Sequence, residues 1–124
     1  MDKTILVIED QDHLRLLIRL TLSPLGRILL AVNASEGLEM VCKEHPDLVV
    51  LDVWLGAGGS GLDVCTAIKA NAGSHATRVL MLSACGQQSD VEAGMKAGAD
   101  CYMIKPFMPQ SLSKAVAELL ESGH

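Results

Sequence analysis

Five short runs of apolar, largely β-branched residues punctuate the chain: Thr4 to Ile8, Ile28 to Val32, Leu48 to Leu51, Val79 to Leu82 and Cys101 to Ile104. Each is apolar throughout rather than alternating, which predicts strands covered on both faces, as in a parallel sheet between two helical layers. The intervals carry a helical period. Leu14, Leu17, Ile18, Thr21, Leu22 and Leu25 fall on one helical stripe, and Leu112, Ala115, Val116, Leu119 and Leu120 on another. Asn33 with Glu36, and Ser89 with Glu92, have capping-box spacing; Pro109 suits a first helical turn, and Gly98 and Gly123 suit helix stops. Five β-α units follow, with no linker, repeat or low-complexity tract, so residues 1–124 are expected to form one domain.

Strands alternating with helices through right-handed crossovers predict an open, doubly wound α/β fold: a five-stranded parallel sheet with helices on both faces. In such a sheet the site lies at the carboxyl ends of the strands, where the winding direction reverses. Read in order, those ends are Glu9 and Asp10, with Asp12 just beyond, then Asp52, then Ser83, then Lys105 followed by Pro106. Three or four carboxylates, one hydroxyl and one lysine are expected on one small patch.

Composition narrows the function. The apolar runs fall far short of the roughly 20 residues a membrane span needs, and no basic leader with an apolar stretch precedes Thr4, so a cytoplasmic location is expected. Ten basic against fifteen acidic residues give a net charge of −5, the wrong sign for gripping nucleic acid through its phosphates. Trp54, Tyr102 and Phe107 are the only aromatics, too few for a base-stacking platform. Cys42, Cys65, Cys85 and Cys101 are widely spaced within apolar segments and read as small buried hydrophobes in a reducing compartment. His13, His45, His75 and His124 have no metal-ligand spacing and read as solvated surface residues.

Carboxylates forced together raise one another's pKa and are costly unless a cation neutralises them. Hard oxygen ligands, few in number, suit Mg²⁺, which keeps several waters and leaves room for phosphate oxygens. Lys105 adds a second positive charge, and Ser83 a donor for a phosphoryl oxygen. Asp52, central in the row, is placed to act as a nucleophile that forms an aspartyl phosphate. Singly, each has a plainer reading: Asp10 or Asp12 as a cap or turn residue, Ser83 as a loop hydroxyl, Lys105 as a solvated lysine, Trp54 and Tyr102 as packing. Asp47, Asp63, Asp90 and Asp100 lack that convergence and read as solvent-facing or capping.

The runs ILVIEDQDHLR, DLVVLDVWLGAGGSGLDV, RVLMLSA and AGADCYMIKPF together resemble the receiver domain of bacterial two-component response regulators, with the chemotaxis-regulator type of fold. The resemblance covers essentially the whole chain and implies strand order 2-1-3-4-5. It implies that Asp52 accepts a phosphoryl group from a phosphohistidine on a sensor histidine kinase or a histidine phosphotransfer protein. Asp10 would ligate Mg²⁺ directly, Glu9 through water, and Trp54 through its backbone carbonyl. Lys105 would pair with a phosphoryl oxygen, and the Lys105-Pro106 peptide would be cis. Ser83 would turn toward the phosphate and Tyr102 swing inward behind it, biasing the surface of the fourth helix, fifth strand and fifth helix.

Two departures from the family pattern stand out. The loop LGAGGSG after Asp52 lacks the usual proline and is one residue longer, and its four glycines predict a mobile loop. Cys101 replaces a frequent acidic residue, and the last helix lacks the charge pattern of dimerising DNA-binding regulators. No output domain follows, so the expectation is a stand-alone receiver or one excised from a longer regulator or hybrid kinase, acting on a downstream protein partner or a missing output domain. The alternative is a phosphorylation-independent interaction module of the same fold, although such proteins tend to lose the acidic pair or the lysine. A flavin-binding carrier would want a hydroxyl- and glycine-rich loop where Glu9-Asp10-Gln11-Asp12 stands. An aspartate-nucleophile phosphatase would want an acid in place of Trp54.

Overall fold

The structure, a computed structural model, describes residues 3–54, 60–71, 73–74, 76–84 and 86–121. Its strands are β1 (Thr4–Ile8), β2 (Arg27–Ala31), β3 (Leu48–Asp52), β4 (Arg78–Ser83) and β5 (Cys101–Ile104). Its helices are α1 (Asp12–Leu22), α2 (Ala34–Glu44), α3 (Gly61–Ala70), α4 (Gln88–Lys96) and α5 (Pro109–Glu121), with a 3₁₀ turn at Ser23–Leu25. The strands form one parallel sheet in the order β2-β1-β3-β4-β5, the expected doubly wound topology.

Strand side chains alternate across the sheet and split the core in two. Ile5, Val7, Leu48, Val50, Leu80 and Leu82 meet Ile18 and Leu22 of α1 and Leu112 and Val116 of α5. Leu6, Ile8, Val49, Leu51, Val79 and Met81 meet Val41 of α2 and Val64, Cys65 and Ile68 of α3. Both sides of each central strand are thus buried, which explains the continuous apolar runs.

Register moves several boundaries. β2 pairs with the five residues of β1, Thr4 opposite Arg27 and Ile8 opposite Ala31, so it starts at Arg27 and leaves Val32 outside, 40% exposed. β3 and β4, paired on both sides, extend to Asp52 and Ser83. Asn33 caps α2 as expected, its side chain accepting from the Glu36 amide at 2.8 Å, while Glu36 bonds the Val32 amide. Ser89 and Glu92 do not form a cap: α4 begins at Gln88, with the Gln87 carbonyl taking the Asp90 and Val91 amides, and Gln88 engages Glu92. Gly98, at φ 107°, closes α4 with paired bonds from Gly98 N to the Met95 carbonyl and from Ala99 N to the Gly94 carbonyl. Gly123, His75, His124 and Cys85 lie outside the described residues.

Three further expectations about the core and its flanks fail. Leu17, expected in the core, is 42% exposed, because α1 buries only Ile18 and Leu22 fully. Cys42 is exposed, and Cys65 alone of the described cysteines is buried, its thiol pushed up to about 11 by burial. Asp100 is not a solvent-facing acid. It accepts from Lys69 Nζ at 2.9 Å and the Val79 amide at 2.8 Å, with Arg78 Nη1 at 3.3 Å, tying α3, β4 and β5 together at the amino end of the sheet. Burial pushes its pKa up, but the hydrogen bonds from Lys69 and Val79 and the two positive charges outweigh that and hold it below the usual 3.8. A depressed pKa means stabilisation that is complete above the unfolded-state value and lost as pH falls through the folded one. Asp100→Asn should therefore cost about 2 kcal/mol at neutral pH, and urea melts should show the gap from the parent shrinking on acidification below pH 3.8. A gap that stays constant would mean the ion pairs contribute nothing.

Candidate functional site

The chain leaves β1 toward β2 on one side of the sheet, while β3 lies on the other, and this reversal opens a crevice at the carboxyl ends of β1 and β3. Register decides which side chains meet there. Ile8 lies opposite Leu51, so Glu9 comes out beside Asp52, and Asp52 opposite Leu82 leaves Ser83 one step further on. Ser83 in turn faces Ile104, and its carbonyl accepts the Lys105 amide at 2.8 Å.

Lys105 Nζ donates to Asp52 Oδ2 at 2.8 Å and approaches Glu9 Oε1 at 3.4 Å. The other Asp52 oxygen, Oδ1, accepts the Trp54 amide at 3.1 Å, and Glu9 Oε2 accepts the Gln11 amide at 3.0 Å. Glu9 and Asp52 are 1% and 5% exposed, whereas Asp10 sits at the open rim. Oxygens of all three lie within 4.8 Å of one another. Asp12 does not join them: it opens α1, its side chain 86% exposed and paired with Arg15. The Lys105-Pro106 peptide is cis.

Burial is the largest influence on Glu9 and pushes its pKa up to about 7; hydrogen bonding with Asp52 and the charge of that carboxylate push the same way, against the Gln11 amide and Lys105. Burial pulls Lys105 down, but the hydrogen bond to Asp52, the Asp52 charge and then Glu9 prevail, so its pKa is raised. Lys105 is one ammonium against two buried carboxylates and a third at the rim, which is too little positive charge for all of them. A donor set of carboxylate oxygens, partly buried and short of positive charge, fits a small hard divalent cation such as Mg²⁺.

The remaining expected residues sit around this centre. Ser83 is buried, 2% exposed. Tyr102 lies on β5 opposite Met81, half-buried against the α2 and α3 side of the core. Trp54 is no packing residue: it is 73% exposed, bridged through its backbone to Ser60. The glycine-rich stretch 55–59 lies outside the described residues. Two site residues escape sequence reasoning. Arg15 donates from Nη1 to the Glu9 carbonyl at 2.9 Å and so pins the turn after β1, a role foreshadowed only by its place one helical turn after Gln11. Gly61 opens α3 so close to the phosphoacceptor candidate that a Cβ would lie 2.2 Å from the Asp52 carbonyl oxygen. Only the fold reveals that approach.

A carboxylic acid with a raised pKa favours the folded state at low pH, because the native protein keeps a proton that the unfolded chain has released. In chelator, stability should therefore fall as pH rises from 4.5 to about 7 and level off above. Glu9→Gln should flatten that slope in denaturant titrations run across the window; a slope of the same size in the variant would assign the proton elsewhere.

Comparison with known proteins points one way. The profile of the response regulator receiver domain matches residues 5–117. The transcriptional regulatory protein AfsQ1 of Streptomyces coelicolor is 33% identical over 121 residues, covering 97% of this chain and 52% of that protein. The alkaline phosphatase synthesis transcriptional regulatory protein PhoP of Bacillus subtilis is 34% identical over 121 residues, covering 97% of this chain and 49% of its own. The chain thus spans about half the length of these curated relatives. Among solved structures, the BeF₃-activated DrrB receiver domain superimposes with a TM-score of 0.89 at 32% identity, covering 98% of this chain and 99% of that one.

Proposed function

The chain belongs to the response regulator receiver domain family, and from that premise we propose that residues 1–124 form one receiver domain in which Asp52 accepts a phosphoryl group from a phosphohistidine. The observation that carries the reading is the contact of Lys105 Nζ with Asp52 Oδ2 at 2.8 Å, beside carboxylate oxygens of Glu9 and Asp10. Among the described carboxylates Asp52 is the one that ends the central strand β3 and lies nearest Lys105 Nζ, at 2.8 Å against 3.4 Å for Glu9. Its attack on phosphorus forms an O–P bond as the N–P bond of the donor breaks, and the electron pair leaves with the imidazole, which takes up a proton. Glu9, Asp10 and Asp52, with the Trp54 carbonyl, would hold Mg²⁺, which when bound neutralises negative charge on the transferring group. Lys105 supplies the second positive charge. The Trp54 and Lys105 bonds to the two Asp52 oxygens orient the carboxylate before the donor arrives.

A sensor histidine kinase or histidine phosphotransfer protein is the proposed donor. Beside the carboxylates lies an open groove of about 400 Å³ lined by Gln11, His13, Leu14, Leu17 and Phe107, which gives the donor an apolar surface next to the nucleophile. The phosphorylated state is read through Ser83, which turns toward the phosphoryl group, and Tyr102, which moves with it. The output is a downstream protein or an attached output domain, as the transcriptional regulators among the relatives suggest. Because attack and later hydrolysis use the chain's own residues, the domain supports its own phosphorylation and dephosphorylation without being an enzyme toward a separate substrate. No described helix is long and apolar enough to cross a membrane, and the bacterial cytoplasm is the proposed location.

Incubation with acetyl phosphate and Mg²⁺ should add one phosphoryl group at Asp52, located by mass spectrometry, and Asp52→Asn should abolish it. Lys105→Ala should still be labelled, but about a hundredfold more slowly, the effect of losing one charged partner of the transferring group. Equal labelling of the Asp52→Asn protein would sink the assignment.

Trp54 is the only tryptophan and stands two residues past Asp52. Its fluorescence should change saturably with Mg²⁺, and again with beryllofluoride, which stands in for the phosphoryl group. Asp10→Asn should weaken the first response; two flat titrations in the parent would show that this loop does not take part in the site.

A further inference from the structure

α4 lies against the sheet through a glycine. Gly94 is the one fully buried residue of this nine-residue helix, and a Cβ built on it would lie 2.6 Å from Cδ2 and 2.8 Å from Cε2 of Tyr102 and 3.2 Å from Met81 Sδ. Real Cβ atoms do not come that close to a ring. Glycine inside a helix weakens it relative to alanine, so this position gives up helix stability for the space the ring occupies. Register explains why the space is needed there. Tyr102 is opposite Met81 on the neighbouring strand, so ring and thioether stand side by side under α4 and fill the volume a side chain at 94 would take. The Gly94 carbonyl also accepts the Ala99 amide in the closure of α4, which ties the backbone at this point to the turn leading into β5.

We propose that Gly94 is a positioning residue whose missing side chain is the seat of the Tyr102 ring, and that it thereby sets how the β5 surface responds at Asp52. The functional half of this statement rests on the switch reading above; the seat itself does not. With Gly94→Ala the ring has to leave its place, because a Cβ at 94 would overlap Cδ2 and Cε2 of a ring whose strand stays paired with β4. Without that seat the ring no longer reports the state of Asp52.

The chain has a single tyrosine, so protein carrying 3-fluorotyrosine gives one ¹⁹F resonance, from Tyr102. In the Gly94→Ala protein without ligand that resonance should move toward the solvent-exposed position, nitration of the ring should speed up several-fold, and the melting temperature should drop. In a Tyr102→Ala background the same Gly94→Ala change should instead raise the melting temperature, since the helix gains its propensity and meets no ring. A reversal of sign between the two backgrounds is a result that general loosening of α4 does not produce. The idea is overturned if Gly94→Ala leaves the fluorine resonance in place, or if it shifts the melting temperature in the same direction with and without the ring. Beryllofluoride with Mg²⁺ completes the test: it should move the resonance in the parent and have little effect in Gly94→Ala, and an equal movement in both would overturn the claim that the seat governs the response. A parent resonance that beryllofluoride leaves unmoved, while phosphoryl labelling at Asp52 is also absent, would instead count against the Asp52 reading, with the seat already decided by the ligand-free comparisons.

Discussion

Two carboxylates, Glu9 and Asp52, are buried at the edge of the sheet against one ammonium, Lys105, and most of what surrounds them follows from that imbalance. Burying a charge is costly unless it is paired and hydrogen-bonded, and the site meets the requirement only in part. Asp52 has Lys105 and the Trp54 amide; Glu9 has the Gln11 amide and a longer approach from Lys105. What is left over appears as the raised pKa of Glu9. The same deficit of positive charge that makes the fold more costly suits the three carboxylates to a divalent cation.

Such a site has to be held by parts that do not depend on it. The two apolar layers supply this, with α1 and α5 on one face and α2 and α3 on the other clamping the strands whose ends present the acids. At the far end of the sheet Asp100, Lys69 and Arg78 form a charge cluster of the opposite character: the acid has two cations and an amide, and its pKa falls. One acid has two cations at the far end of the sheet, whereas at the candidate site two buried acids share one. That division accords with the general cost of keeping a functional site strained.

Close backbone approach is the second constraint. Gly61 touches the Asp52 carbonyl, Gly37 would place a Cβ 2.3 Å from Ile8 Cδ1, and Gly94 leaves room for the Tyr102 ring. Each brings a helix down onto the strand end or strand side chain that serves the site. A larger residue at any of the three would have to displace the atoms it meets.

The alternation of apolar runs and helical stripes determined the α/β class, the five strands and the helix order, because burial on both faces leaves a strand no polar positions. The row of Glu9, Asp10, Asp52, Ser83 and Lys105 at strand ends was legible for the same reason: strand ends are where apolar runs stop. Three-dimensional pairing decided the rest. Asp12, equal to Asp10 on paper, turns out to solvent because α1 begins there, and Asp100, unremarkable in sequence, becomes an ion-pair centre because β4 and α3 bring Arg78 and Lys69 to it. Ser89 failed as a cap because the backbone of Gln87 met the free amides of α4 first. Local patterns record which side of an element faces the core. Which charges meet, and which glycines lie under a neighbour, depends on contacts between residues far apart in the chain, and no window of sequence contains both partners.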